Sequence, residues 1–349
     1  MNLKPLAEQT LVITGVTSGI GLTTARMAAL QGARVMLVAR NENALQSLAD
    51  EINASGGQAL YTIADVADKP ALQAAADKTI AAWGGFDTWV NNAGVSVYGR
   101  IMEVPEEDFR RLFETNFWGV VNGSRIAVDH LRGKGGALIN MGSEASDAPI
   151  PLQGAYTASK QAVKGFTDSL RMELEGDGVP VAVTLIKPTA IHTPFPEHAK
   201  NYLPYEPKLP TPVYAPELVA EAILYCAEQA QREFFVGEMA KLNSAMARTM
   251  PRLYEKMNES LLDSRQNSGK KAAALRPDSL YETHSQLQQR GAGERVVLET
   301  SVYQQAKLHP FLTGALMMVG GAALAAWYAR ETYPFARAKP AKRLAATLK

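Results

Sequence analysis

Cysteine is almost missing from this chain: Cys226 is the single one in 349 residues. An internal disulfide is thereby excluded, a reducing compartment is suited, and Cys226 itself reads as a small buried apolar residue on a helix. Histidine is also sparse. His130, His192, His198, His284 and His309 are scattered without ligand spacing, so no metal site is implied. The amino terminus runs into a strand pattern within about ten residues and lacks the apolar core of a secretory signal, so the catalytic part is expected to be cytoplasmic. Charge of one sign is lacking as well: 36 Lys and Arg stand against 35 Asp and Glu, a net +1, and nothing in the main body suggests nucleic acid. The imbalance collects in residues 330–349, where Arg330, Arg337, Lys339, Lys342, Arg343 and Lys349 face Glu331 alone. Such a basic tail could meet anionic lipid or be a solvated terminus. With 46% hydrophobic and 20% charged residues the usage is that of a globular protein, ample for one large domain and an appendage.

Strand and helix patterns alternate through the first two thirds. Residues 11–14 form a short apolar run, Gly15, Gly19 and Gly21 follow, and LTTARMAALQ then reads as a helix ending at Gly32 before the buried strand RVMLVAR. This is a βαβ unit with parallel strands and a right-handed crossover. Glycines at its turn let the backbone approach a diphosphate, whose charge the free N–H groups and dipole at the helix start would stabilise. Further strands are expected at QALYTIAD, FDTWVNNAG, GGALINMGS, within VPVAVTLIKPTAIHTPF, and at REFFVG, with helices over 70–83, 106–131, 155–175 and 215–229. The expected fold is α/β, a doubly wound Rossmann-type parallel sheet of about seven strands with helices on both faces, plus a C-terminal helical extension.

The chain is organised around residues 143–160, SEASDAPIPLQGAYTASK, where Tyr156 stands four residues before Lys160 at the start of a helix. That spacing puts both side chains on one face, and an ammonium together with the helix's positive end would lower the phenol's pKa. A second Tyr-x-x-x-Lys copy, Tyr303 and Lys307, has no comparable setting and is expected to be solvent-exposed. Asn116 sits within a helical pattern, where asparagine competes for backbone bonds, and so hints at a specific partner.

The turn Thr14-Gly15-x-x-x-Gly19-x-Gly21, the Asn91-Asn92-Ala93-Gly94 run and the series Asn116, Ser143, Tyr156, Lys160 together resemble the short-chain dehydrogenase/reductase family in its compact, single-domain form, over roughly residues 8–240. The resemblance implies catalysis by Asn116, Ser143, Tyr156 and Lys160. It implies a dinucleotide held by Gly15, Thr17, Ser18, Gly19, Ile20, Gly21, Arg40, Asp65, Val66, Asn92, Ala93, Gly94, Tyr156, Lys160, Pro188, Ile191 and Thr193. Thr189 stands where the family's Pro-Gly-x-x-x-Thr loop has glycine, which puts that loop's backbone geometry in doubt. At the end of the second strand Ala39-Arg40 replaces a ribose-reading carboxylate, so NADP(H) is favoured over NAD(H). The implied activity is hydride transfer with a small-molecule carbonyl or alcohol. The other reading is a nucleotide-binding sensor or scaffold without turnover. Val95, Val97, Tyr98, Ile150, Phe195, Tyr202 and Leu203 could form an apolar pocket for a lipophilic substrate, under a variable lid of residues 195–216. By resemblance the protein is a homo-dimer or homo-tetramer.

Four regions are expected: an oxidoreductase domain at 1–240, a helical and flexible linker at 241–307, an apolar helix at 308–329 and the basic tail. Residues 311–329 carry no charge and as a helix would reach ~28 Å, near the ~30 Å of a hydrocarbon layer. Phe311 and Trp327-Tyr328 resemble interfacial anchors, while a helix packed on the enzyme or on its twin would read the same way.

Overall fold

The computed structural model describes residues 3–260, 266–273, 276–283, 287–293 and 296–309, with scattered helical residues between 311 and 327. The apolar runs become seven parallel strands: β1 (Thr10–Thr14), β2 (Arg34–Ala39), β3 (Gln58–Ile63), β4 (Thr88–Asn91), β5 (Gly136–Met141), β6 (Val181–Pro188) and β7 (Glu233–Val236). They lie in the order β3-β2-β1-β4-β5-β6-β7. Every residue of β1, β4, β5 and β6 is buried, as a parallel strand covered on both faces requires. Strand order reverses between β1 and β4, where Val12 pairs with Trp89, and the crevice beyond the strands' carboxyl ends at such a switch point is where this architecture binds ligands.

Helices cover the sheet: α1 (Gly19–Leu30), α2 (Glu42–Ala54), α3 (Lys69–Trp83), α4 (Glu106–Phe113), α5 (Gly119–Leu131), α6 (Gly154–Gly176) and α7 (Pro216–Glu228). Their starts are written locally. The Asn41 side chain accepts the Ala44 N–H at 3.0 Å to open α2, and Asp68 caps α3, which ends at Gly84 with φ 80°. Val12, Met36, Trp89 and Leu138 pack with Leu72 of α3 and Ile126 and Leu131 of α5 in one core layer. Because side chains alternate along a strand, Leu11 and Ile13 serve the opposite layer, in which α1 packs on α7.

Residues 1–304 form one unit. Two further helices, α8 (Glu238–Thr249) and α9 (Pro251–Ser260), follow β7. The stretch read as a flexible linker is docked where it is described. Residues Asn267–Lys271 pair antiparallel with Tyr205–Pro207, and Val213–Tyr214 pair parallel with Val297–Leu298. Ion pairs Arg276–Glu206 (3.0 Å), Lys200–Asp278 (3.2 Å) and Arg290–Glu217 (3.0 Å) add to the ladders, and Leu280 is fully buried. Composition suggested a linker because this segment is held by main-chain bonds and charges rather than by an apolar face. The expected lid of residues 195–216 is thus tied to the extension.

Residues 305–349 form a second unit. Most of the expected 311–329 span and all of the basic tail lie outside the described residues. Phe311, Met318, Leu324 and Trp327 are helical and exposed, and among the described residues no helix is long and apolar enough to cross a membrane.

Candidate active site

The glycine turn is built from beneath. Gly15 has φ 72°, and a Cβ on Gly21 would lie 2.2 Å from the Gly15 carbonyl oxygen and 2.4 Å from Asn92 Nδ2, so position 21 has no room for a side chain. Asn92 Nδ2 donates to the carbonyls of Thr14 (2.9 Å) and Gly15 (3.1 Å), while Thr14 Oγ1 accepts the N–H groups of Asn92 and Ala93. The Asn92 amide therefore braces the turn. Asn91 turns away into the core, bonded to Trp89, Asn140 and Ser124.

A cavity of ≈ 350 Å³ runs along the sheet's carboxyl edge. It is lined by Gly15, Thr17, Ser18, Gly19, Ile20, Gly21, Arg40, Asp65, Val66, Asn92, Ala93, Gly94, Ser143, Tyr156, Lys160, Pro188, Ile191 and Thr193. Every residue expected to hold the dinucleotide is among them. Asn116 is not.

Ser143 follows β5 and opens a short 3-10 turn, Glu144–Ser146, in a capping box: its Oγ accepts the Ala145 N–H at 3.2 Å, and Ser146 Oγ accepts the Ser143 N–H at 3.2 Å. Tyr156 lies in the first turn of α6, where the Ser143 side chain is placed to favour its ionised form, and the Phe195 ring lies tilted beside it with centroids 5.7 Å apart. One turn on, Lys160 Nζ stands 5.8 Å from the Tyr156 ring centre and donates to the Met141 carbonyl at 2.7 Å. The electrostatics differ from the sequence expectation of a lowered phenol. Burial pushes Tyr156 up to about 12, the Ser143 side chain opposes this, and the Glu144 carboxylate adds to it. Burial brings the Lys160 ammonium down to about 8. Tyr156 is therefore a neutral phenol, a proton donor in its resting state.

Asn116 sits in a π-helical turn, Glu114–Trp118, between α4 and α5. Its Oδ1 accepts the Val95 N–H (2.8 Å) and its Nδ2 donates to the Val95 carbonyl (2.9 Å) and to Ser159 Oγ (3.1 Å). The specific partner hinted at by the sequence is thus the backbone after Gly94 and the helix carrying Lys160. Such π turns recur at functional sites.

At the other end of the groove Asp65 is held by Arg111 at 2.5 Å, with Arg40 at 4.0 Å. Burial alone would raise the Asp65 carboxyl, but the Ala67 N–H and Arg111 hold it below the usual range. The glycine cradle, the amino end of α1 and the buried Lys160 charge fit the phosphates and ribose of a dinucleotide.

Of the expected apolar pocket, Val95, Tyr98, Ile150 and Phe195 line the cavity, whereas Val97, Tyr202 and Leu203 pack in neighbouring clusters. The Tyr202 hydroxyl bonds Asp108. Sequence reasoning missed Glu144, Gln153, Asn243, Tyr254, Asn258 and Gln266, which also line the space. Glu144 Oε2 accepts from Thr189 Oγ1 (2.8 Å) and Asn243 Nδ2 (3.2 Å), so the threonine in the glycine position serves as a hydrogen-bond donor, and it needs no left-handed backbone. A charge directly after a buried strand was the one available signal. Tyr303 lies outside the cavity and is half-buried rather than exposed, with Lys241 Nζ 4.6 Å over its ring.

The family described as short chain dehydrogenase matches residues 9–202. A protein of Bacillus subtilis named "uncharacterized oxidoreductase YxnA" is 42% identical over 334 residues, 95% of this chain and 93% of that protein. A short-chain type dehydrogenase/reductase from Mycobacterium marinum is similar in structure with TM-score 0.59 and 28% identity, over 66% of this chain and 95% of that one. An alcohol dehydrogenase from the archaeon Thermococcus sibiricus, complexed with 5-hydroxy-NADP, has TM-score 0.58 and 26% identity, over 65% and 95%.

Proposed function

Because the chain belongs to the short-chain dehydrogenase family of NAD(P)-dependent oxidoreductases, we propose that it reduces the carbonyl of an apolar-bodied small molecule, or oxidises the matching alcohol, with NADP(H). The observation that carries this reading is the convergence of Ser143, Tyr156 and Lys160 on the cavity that the glycine turn opens. When bound there, the nicotinamide supplies or accepts the hydride.

Tyr156 gives its proton to the carbonyl oxygen while Ser143 hydrogen-bonds the same oxygen and fixes its position. The raised phenol pKa suits the donor role in the reductive direction. Lys160 holds the nicotinamide ribose hydroxyls, and its charge compensates the phenolate left after proton transfer. Asn116, locked to Val95 and Ser159, positions the loop after Gly94 against Lys160 and serves proton resupply through water. The backbone of Gly15 to Gly21 and of Pro188 to Thr193 borders the phosphates. Arg40, following Ala39 at the end of β2, faces the adenosine end, where it supports a 2′-phosphate by charge and paired hydrogen bonds. Residues 1–240 carry the chemistry in this reading, and the extension covers it.

Val95, Tyr98, Ile150 and Phe195 support an apolar substrate body, and the carboxamides of Gln153, Asn243, Asn258 and Gln266 support a polar substituent on it. The purified protein is expected to consume NADPH in the presence of at least one member of a panel of apolar ketones and aldehydes. Tight NADPH binding with no consumption across the whole panel would instead favour a nucleotide sensor or scaffold.

A further inference from the structure

The donors that a dinucleotide would use at the adenosine end are already engaged by the chain itself. The Arg40 guanidinium donates to four successive main-chain carbonyls, those of Ser279 (2.6 Å), Leu280 (3.5 Å), Tyr281 (3.2 Å) and Glu282 (3.2 Å). A ring of oxygens around one guanidinium is the arrangement a phosphate offers, except that these oxygens are neutral. The segment is seated by Leu280, fully buried beside Val95, Val97, Leu112 and Ala155. Arg111 Nε donates to the Leu280 carbonyl at 3.0 Å, the Tyr281 hydroxyl donates to Asp108 at 2.8 Å, and Asn41 Nδ2 reaches Thr283 Oγ1 at 3.3 Å. Further along, the N–H of Gly19, the first residue of α1, donates to the Gln288 carbonyl at 2.9 Å, and Gln289 Nε2 bonds Thr23 Oγ1 at 3.1 Å. Residues 279–282 thus occupy the arginine after β2, and Gln288 and Gln289 meet the amino end of α1.

From this we infer that residues 279–283 form a strap that competes with the cofactor's 2′-phosphate for Arg40, and that displacement of the strap is the step by which the protein distinguishes NADP from NAD. The inference rests on the proposed reading in which Arg40 faces the 2′-phosphate. Charge decides the competition. Among the described residues Asp65 is the one carboxylate that pairs with both Arg40 and Arg111, and Arg111 holds it closely, so the Arg40 guanidinium otherwise faces carbonyls, which bring no charge. A 2′-phosphate brings negative charge, so it adds ion–ion attraction to hydrogen bonds that the carbonyls accept as neutral groups. The 2′-hydroxyl of NAD brings none and leaves the strap seated. Closure lowers the apparent affinity for a 2′-phosphorylated ligand by the fraction of molecules whose strap is open.

The test uses the full chain, with 2′,5′-ADP and 5′-AMP as probes, calorimetry for binding and amide hydrogen exchange for the strap. Saturating 2′,5′-ADP is expected to speed exchange over 279–283 by about tenfold or more, while 5′-AMP leaves it unchanged. Leu280→Ala, which removes the anchor, is expected to tighten 2′,5′-ADP binding by about fivefold to tenfold and 5′-AMP binding by less. Binding of 2′,5′-ADP with unchanged or slowed exchange over 279–283 overturns the strap and leaves the NADP reading standing. Binding only after Leu280→Ala supports an occluding strap. Failure of both forms to bind 2′,5′-ADP overturns the strap and the NADP reading together. Should Leu280→Ala not fold, exchange in the unaltered protein decides.

Discussion

The two ends of the groove are assembled from different distances along the chain. At the nicotinamide end, Ser143, Tyr156 and Lys160 come from one strand end and the first turns of the next helix, and the Lys160 partner Met141 lies close by in sequence. At the adenosine end, Arg40 meets carbonyls about 240 residues further on, at Ser279 to Glu282. A short-range spacing writes its geometry into the sequence, because a helix fixes what four residues mean. A contact closed by a long loop depends on the whole fold and leaves no local pattern.

The contrast can be broken first at the glycine turn, which serves both ends. Gly21→Ala places a methyl 2.2 Å from the Gly15 carbonyl, so backbone must move. A loss of about 3 kcal/mol or more in urea unfolding is expected, with dinucleotide binding lost in any folded fraction. An unchanged unfolding midpoint would show that the turn tolerates a side chain.

A smaller effect belongs to the nicotinamide end alone. Lys160 titrates near about 8 in the folded chain against a usual value of 10.5, so between those pH values the unfolded chain binds a proton that the folded chain does not. Stability of the ligand-free protein should therefore rise with pH from about 8 to 10.5, by up to about 3 kcal/mol. Above pH 10 the raised Tyr156 phenol, folded near 12 against 10.0 unfolded, works in the opposite direction. Urea unfolding across this range measures the rise, and Lys160→Met should flatten it.

Much of the architecture was legible. The alternation of apolar runs and helical patterns marks the seven parallel strands, and the glycine triplet between β1 and α1 marks the switch point. The residues assigned to the dinucleotide do line one cavity. Other features left only a faint mark in the sequence. The π turn that aims Asn116 at Val95 differs from a helix only in one extra residue per turn. Glu144 shows in the sequence only as a charge directly after a buried strand, and the fold alone sets it against Thr189 and Asn243. The segment after residue 260 read as a linker because polar composition reports missing apolar contacts and cannot report main-chain pairing with Tyr205–Pro207.

The account depends on the Tyr156 hydroxyl as the proton donor. Tyr156→Phe removes that one oxygen and leaves the ring against Phe195 and the groove intact. Turnover of NADPH with an accepted carbonyl substrate should fall by about 10²–10⁴-fold, with NADPH affinity by calorimetry close to that of the unaltered protein. Turnover within about twofold of the unaltered protein, under the same conditions, would contradict the account.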